Sequence, residues 1–146
     1  MNNGMPTVFY VDDNVRSRTL LSSVLAECGF EIITAADPLE ALRRCRRIRF
    51  DLALLDYDMP SLTGSQLAHE IKLLASNVPV VLLSGHGALP DTELACVDAH
   101  FGHGTHLDDL VKTMHRTDPD RDRQAEGQSL ASATGPALGS AVQLLR

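Results

Sequence analysis

The sequence predicts an α/β fold, a five-stranded parallel sheet with helices on both faces. Short apolar runs alternate with stretches of helical apolar spacing, strand then helix, five times over. The runs are almost continuously apolar, as strands covered on both faces are. Acidic residues close two of them: Asp12-Asp13 follow Val8-Phe9-Tyr10-Val11, and Asp56 follows Leu52-Ala53-Leu54-Leu55. Such alternation places helices on both sides of a parallel sheet.

Thr7 to Val11 is the first expected strand. Asn14 to Cys28 is the first helix, with Leu20, Leu21, Val24, Leu25 and Cys28 on one face and Gly29 where a helix stops. Phe30 to Thr34 is the second strand. Asp37-Pro38 opens the second helix, Asp as cap and Pro in the first turn. Its expected inner face is Leu39, Leu42, Cys45 and Ile48. The run Arg43, Arg44, Arg46, Arg47 is expected to be its solvated outer face.

Phe50 to Leu55 is the third strand, and a loop containing Pro60 leads to a third helix beginning at Gly64, with Leu67, Ile71 and Leu74 inward. Val80 to Leu83 is the fourth strand, with Pro79 at its entry, where a missing N–H is tolerated. Pro90 to Val97 is a short fourth helix and Ala99 to Gly102 a weak fifth strand. Leu107, Leu110, Val111 and Met114 mark the last helix. Residues 6–116 form one domain by this reading. Residues 117–146, rich in Ser, Gly, Ala and Asp, are expected to be a disordered tail.

Composition narrows the function. Hydrophobic residues make up 44% of 146 and aromatics 4%, so the core must be mainly Leu, Val, Ile and Ala. A net charge of −6 argues against a nucleic-acid-binding surface. No apolar stretch reaches the ~18 residues of a membrane span, and the N-terminus lacks signal-peptide parts. A cytoplasmic location is expected. Cys28, Cys45 and Cys96 lack zinc spacing and are expected to be small core residues in a reducing compartment.

In open parallel sheets, ligands bind outside the carboxyl ends of the strands. If the strands ending at Asp12-Asp13 and Asp56 are neighbours, three carboxylates meet at one edge. Anions so close raise each other's pKa unless a cation lies among them. A hard cation taking oxygen ligands, such as Mg²⁺, suits the set.

At these residues the chain resembles the receiver domains of bacterial two-component response regulators. The resemblance covers roughly residues 6–116. It rests on Val11-Asp12-Asp13-Asn14, on Leu55-Asp56-Tyr57-Asp58-Met59-Pro60 with Gly64, and on Leu82-Leu83-Ser84-Gly85-His86-Gly87, each at an expected strand end. It implies a flavodoxin-like (βα)5 fold. It also implies that Asp56 is the phosphoacceptor, that Asp12, Asp13 and Asp56 hold Mg²⁺ with the Asp58 backbone carbonyl, and that Ser84 bonds the phosphoryl group and carries the switch. The implied partners are a histidine kinase or phosphotransfer protein and a downstream protein. Both monomer and homodimer are compatible with the sequence.

Two family features are replaced. His103 stands at the usual Lys position, followed by Gly104 in place of Pro, and His100 stands at the switch aromatic. His is shorter than Lys and, with an unperturbed pKa near 6.5, mostly neutral at pH 7. Loss of one charge-assisted hydrogen bond costs on the order of 1.5–3 kcal/mol, enough to weaken coupling without removing the nucleophile. His100, His103 and His106 lack a fixed fourth ligand and are not read as a transition-metal site.

The expected function is that of a non-enzymatic, stand-alone receiver that accepts a phosphoryl group on Asp56 and signals by protein contact. The alternative is a pseudo-receiver, a binding module indifferent to phosphorylation. Asp56-Tyr57-Asp58 also resembles the Asp-x-Asp of haloacid-dehalogenase-type phosphatases, but those place the motif near their N-terminus and need more chain.

Overall fold

The computed structural model describes residues 4–85, 88–102 and 105–117. In chain order the elements are β1 (Thr7–Val11), α1 (Val15–Glu27), β2 (Glu31–Ala35), α2 (Pro38–Cys45), β3 (Leu52–Asp56), α3 (Gly64–Leu74), β4 (Val80–Ser84), α4 (Asp91–Leu94), β5 (Ala99–Gly102) and α5 (Leu107–Thr117). The five strands form one sheet of order β2-β1-β3-β4-β5. Every neighbouring pair is parallel.

Side chains of a strand point alternately to the two faces, and the core divides accordingly. Val8, Tyr10, Leu52, Leu54 and Val81 pack against Leu21 and Leu25 of α1 and Leu107, Leu110 and Met114 of α5. Phe9, Val11, Ala53, Leu55, Val80 and Leu82 pack against Ala41 and Cys45 of α2 and Leu67, Ala68 and Ile71 of α3. Central strands buried on both faces explain the continuous apolar runs.

Local signals set the helix ends. The side chains of Asn14 and Asp37 accept from the backbone N–H of Ser17 and Glu40 at 3.0 and 2.9 Å. Thr63 and Gln66 form a reciprocal capping box at the start of α3. Gly29 follows α1 with φ +97°, a left-handed conformation that an L side chain adopts only under strain.

The structure corrects several expected boundaries and faces. Leu42, Cys45 and Ile48 meet the core as expected, joined by Pro38 and Ala41, but Leu39 is 48% exposed. Leu74 is 44% exposed, since the chain leaves α3 at Ala75. β3 starts at Leu52, two residues later than expected; Asp51 accepts instead from the Thr7 N–H at 2.8 Å and ties down the start of β1. α4 is four residues long rather than eight; it has no side-chain cap, and a Val97 N–H to Leu94 carbonyl bond turns the chain after it. Arg44 is not simply solvated. It donates to the Thr34 carbonyl, pairs with Glu40 at 3.7 Å and lies 5.9 Å from the Phe9 ring centroid. Cys45 is buried and Cys28 and Cys96 are half-buried, all three as free thiols. The expected tail lies outside the described residues, as does His103.

Candidate functional site

β1 and β3 are adjacent, with Val11 opposite Leu55. The next residues, Asp12 and Asp56, therefore lie side by side at the sheet's carboxyl edge. Asp13 follows directly. Carboxylate oxygens of Asp12, Asp13 and Asp56 all lie within 4.8 Å of one another, the arrangement of a cation site. Asp12 is buried, Asp56 half-buried and Asp13 exposed, so the cluster opens to solvent on one side.

The chain fixes Asp12 from three directions. The Tyr10 hydroxyl donates to Oδ2 at 2.6 Å, and the Asn14 N–H to Oδ1 at 2.9 Å. Arg18 holds its carbonyl at 2.8 Å. Even so, burial pushes the Asp12 carboxyl above the ordinary carboxylate range, against the lowering effect of those donors. Tyr10 is pushed well up by burial and by Asp12, which keeps its hydroxyl a donor.

Asp56 is shifted furthest. Burial, then the charges of Asp12, Asp13 and Asp58, push it up to about 8, while a backbone hydrogen bond from Asp58 works the other way. A group so shifted marks a site that lacks countercharge. Three convergent carboxylates with oxygen donors only suit Mg²⁺ rather than a soft metal.

The loop after Asp56 is held closely. The Tyr57 N–H donates to the Leu83 carbonyl at 2.7 Å, and the Gly64 N–H to the Tyr57 carbonyl at 2.9 Å. A Cβ on Gly64 would lie 2.5 Å from the Asp56 carbonyl oxygen, 2.7 Å from Leu82 Cδ1 and 2.9 Å from Tyr57 Cα. The start of α3 thus rests directly on the strand end that carries Asp56. Asp58 lies exposed two residues beyond it.

Asp56 pairs with Leu83, so Ser84 lies one residue beyond that pair on the neighbouring strand, fully buried, opposite Gly102. His100 pairs with Leu82, further from the carboxyl edge. Its Nε2 is buried and has no hydrogen-bond partner among the described residues. The structure therefore brings Asp12, Asp13 and Asp56 together, with Ser84 on the adjoining strand end. His103, expected at the usual Lys position, lies outside the described residues, and so do His86 and Gly87.

One contact was not anticipated from the sequence. The Tyr57 hydroxyl donates to Glu93 Oε1 at 2.8 Å, joining the residue after Asp56 to α4 across 36 positions of chain. This hydrogen bond is the first cause of the upward shift of the Tyr57 hydroxyl. No local pattern links the two residues; only the fold does. α4 is short, has no side-chain cap and fully buries none of its residues, so each tether matters to it. Tyr57→Phe is expected to speed amide exchange of residues 91–97 several-fold while leaving α1 unchanged; equal exchange in both proteins would show that the bond does not hold α4.

Comparison with known proteins agrees with this geometry. A family model described as the response regulator receiver domain matches residues 8–103. The chain is 38% identical over 90 residues to protein-glutamate methylesterase/protein-glutamine glutaminase 1 of Anaeromyxobacter dehalogenans, covering 62% of this chain and 25% of that protein. It is 35% identical over 91 residues to the transcriptional regulatory protein GlrR of Escherichia coli, covering 62% of this chain and 20% of that one. It thus spans a quarter or less of these two relatives' length. Among solved structures, the response regulator TrrA of Thermotoga maritima in complex with Mg²⁺-BeF superposes with a TM-score of 0.73 at 29% identity, over 77% of this chain and 99% of that one. TrrA in complex with the histidine kinase ThkA gives 0.72, again at 29% identity, over 77% and 98%. With the acidic edge, the sheet order and the family match in agreement, the chain belongs to the response regulator receiver domain family.

Proposed function

We propose that this receiver accepts a phosphoryl group on Asp56 from a histidine kinase or phosphotransfer protein, in a site built to hold Mg²⁺, and signals by protein–protein contact. One observation supports this above the others: three carboxylates converge within 4.8 Å at the carboxyl ends of adjacent strands. Asp12, Asp13 and Asp56 are the residues that would hold the ion, with the Asp58 carbonyl as a further ligand. Mg²⁺ there would offset the carboxylate charge and that of the equatorial phosphoryl oxygens.

The chain's own part is orientation and charge. The upward shift of Asp56 keeps it protonated, and so a poor nucleophile, at neutral pH until countercharge arrives. As a carboxylate, its oxygen attacks phosphorus in line with the departing imidazole. The new P–O bond replaces the P–N bond, and the imidazole leaves with its electron pair and takes up a proton. Tyr10 and the Asn14 N–H keep the Asp12 oxygens turned to fixed positions. Ser84, at the end of β4, is proposed to donate to a phosphoryl oxygen. His103 stands in the sequence at the usual Lys position, a departure from the family's pattern.

The test is intact mass after incubation with acetyl phosphate and Mg²⁺. The wild type is expected to gain one phosphoryl group, about 80 Da, and Asp56→Asn none. No gain by the wild type, with Mg²⁺ still bound, would favour the pseudo-receiver, for which the replacement of Lys by His103 and of the switch aromatic by His100 speaks.

A further inference from the structure

Away from the acidic edge, α3 and the turn after α4 bring together a thiol and an imidazole. Cys96 Sγ lies 3.7 Å from His69 Nδ1, across 27 positions of chain. Cys96 lacks zinc-type spacing in the sequence, and it packs in part against the core. It nonetheless lines a groove of about 560 Å³, together with His69, Glu70 and Glu93.

Three features of this groove suit a borderline-soft divalent cation. The first is spacing. Zn²⁺ bonds a thiolate at about 2.3 Å and an imidazole at about 2.1 Å, so at a tetrahedral angle the two ligand atoms stand about 3.6 Å apart. Cys96 and His69 already stand close to that separation. The second is charge. The carboxylates lining the groove, Glu70 and Glu93, take part in no ion pair among the described residues; the pairs present are Arg44–Glu40 and Lys72–Asp98. The third is a carboxylate on the side of the thiol. Glu93 and Cys96 are three residues apart on α4 and the turn that continues it, a spacing that puts both on one face. The Tyr57 hydroxyl holds Glu93 Oε1 at 2.8 Å, as outer partners orient a ligating carboxylate.

We propose that Cys96, His69 and Glu93 form a Zn²⁺ site that staples α4 to α3. Glu93 Oε2 is the third ligand and water the fourth. On binding, the Cys96 S–H bond breaks, the sulfur keeps the electron pair and donates it to the ion, and the proton passes to solvent. No redox change is involved. Among the described residues, only Asp12, Asp13 and Asp56 already bring three His, Cys, Asp or Glu ligand atoms within 4.8 Å of one another. Here the ion itself must therefore draw Glu93 inward. α4 can follow, being four residues long with no side-chain cap and no buried residue. The two sites differ in kind. The oxygen-only edge suits Mg²⁺, whereas a thiolate and an imidazole select a softer ion.

The test uses the full chain, reduced and stripped of metal, with Mg²⁺ in excess to occupy the acidic edge. Co²⁺ is added as a coloured stand-in, and Zn²⁺ is titrated against it. One equivalent of Co²⁺ is expected to give a thiolate-to-cobalt charge-transfer band that Zn²⁺ removes. Cys96→Ser, with Cys28 and Cys45 intact, should lose the band. His69→Gln and Glu93→Gln should each weaken Zn²⁺ binding about tenfold or more. Asp56→Asn should bind as the wild type does, which separates this site from the phosphoacceptor. Zn²⁺ should also slow amide exchange of residues 91–97 in the wild type and not in Cys96→Ser, which reads the staple itself. A measurement on the wild type alone is independent of how any variant folds: Zn²⁺ should move the imidazole NMR signals of His69 and leave those of His115 in place. The proposal fails if no band forms, if the band survives Cys96→Ser, or if the His69 signals stay still. Unchanged binding by both His69→Gln and Glu93→Gln would mean an adventitious ion only. One Zn²⁺ per two chains, with a dimer in sedimentation velocity, would overturn the staple and assign the ligands to a contact between copies.

Discussion

In magnesium-free buffer at neutral pH, the Asp56→Asn protein is expected to be more stable than the wild type. Burial, with the charges of Asp12, Asp13 and Asp58, pushes the Asp56 carboxyl from 3.8 up to about 8. The folded protein therefore holds a proton there over a pH range in which the unfolded chain has released it. Stability rises with pH only where the unfolded state binds more protons; here the folded state binds more. The contribution of Asp56 is thus fully present below about pH 4 and is lost as pH rises toward 8. Asp12, also shifted up, acts in the same direction. Asn has the same shape and no charge to bury. Because the site opens to solvent on one side, the gain on substitution is expected to be about 1–3 kcal/mol near pH 8, well short of the full shift. Urea unfolding in chelator at pH 5 and pH 8 reads it: the wild type should lose stability between the two, and the variant should lose less. Added Mg²⁺ should reverse the order, since a ligand at a hundred times its Kd stabilises by about 2.7 kcal/mol and the amide of the variant is a poorer metal ligand than the carboxylate it replaces. A variant less stable than the wild type at pH 8 in chelator would refute this account of the acidic edge.

The same edge shows what sequence could disclose. Asp12, Asp13 and Asp56 were legible because each closes an apolar run, and strand ends in a parallel sheet share one edge. The order β2-β1-β3-β4-β5, which makes β1 and β3 neighbours, is a property of the whole fold, yet the acids themselves hinted at it. Caps were equally legible: Asp37 and Gly29 act over three or four residues of chain. Faces were less so. Leu39 and Leu74 match helical spacing as well as Ala41 and Ala68 do, and hydrophobicity alone ranks Leu first. Close packing prefers the small residue where a helix lies near a sheet. Arg44 and the Tyr57–Glu93 bond were beyond reach for a different reason. Each depends on a side chain meeting a distant segment, and no periodicity records that.

Gly64→Val is expected to cost the most of any single change near the site, about 3 kcal/mol or more, and to damage the site with the fold. The reason is space rather than backbone freedom. Two of the three atoms a Cβ would meet, the Asp56 carbonyl oxygen at 2.5 Å and Tyr57 Cα at 2.9 Å, belong to the backbone and cannot rotate away. Leu82 Cδ1, at 2.7 Å, is fully buried and has no room to retreat. Relief must come from moving α3 off the end of β3. That motion strains the Gly64 N–H to Tyr57 carbonyl bond and shifts the backbone from which Asp56 projects. Even Gly64→Ala should lower stability by about 1–3 kcal/mol and weaken Mg²⁺ binding in parallel, a pairing that a purely local clash would not produce. Gly102→Ala is the matching control. Its Cβ would lie 3.7 Å from the Ser84 carbonyl oxygen, an ordinary contact at the same edge of the sheet. Urea midpoints and Mg²⁺ titrations of both alanine variants decide the matter. If Gly64→Ala unfolds at the wild-type midpoint, or loses stability while binding Mg²⁺ as the wild type does, the close approach of α3 to β3 does not position Asp56.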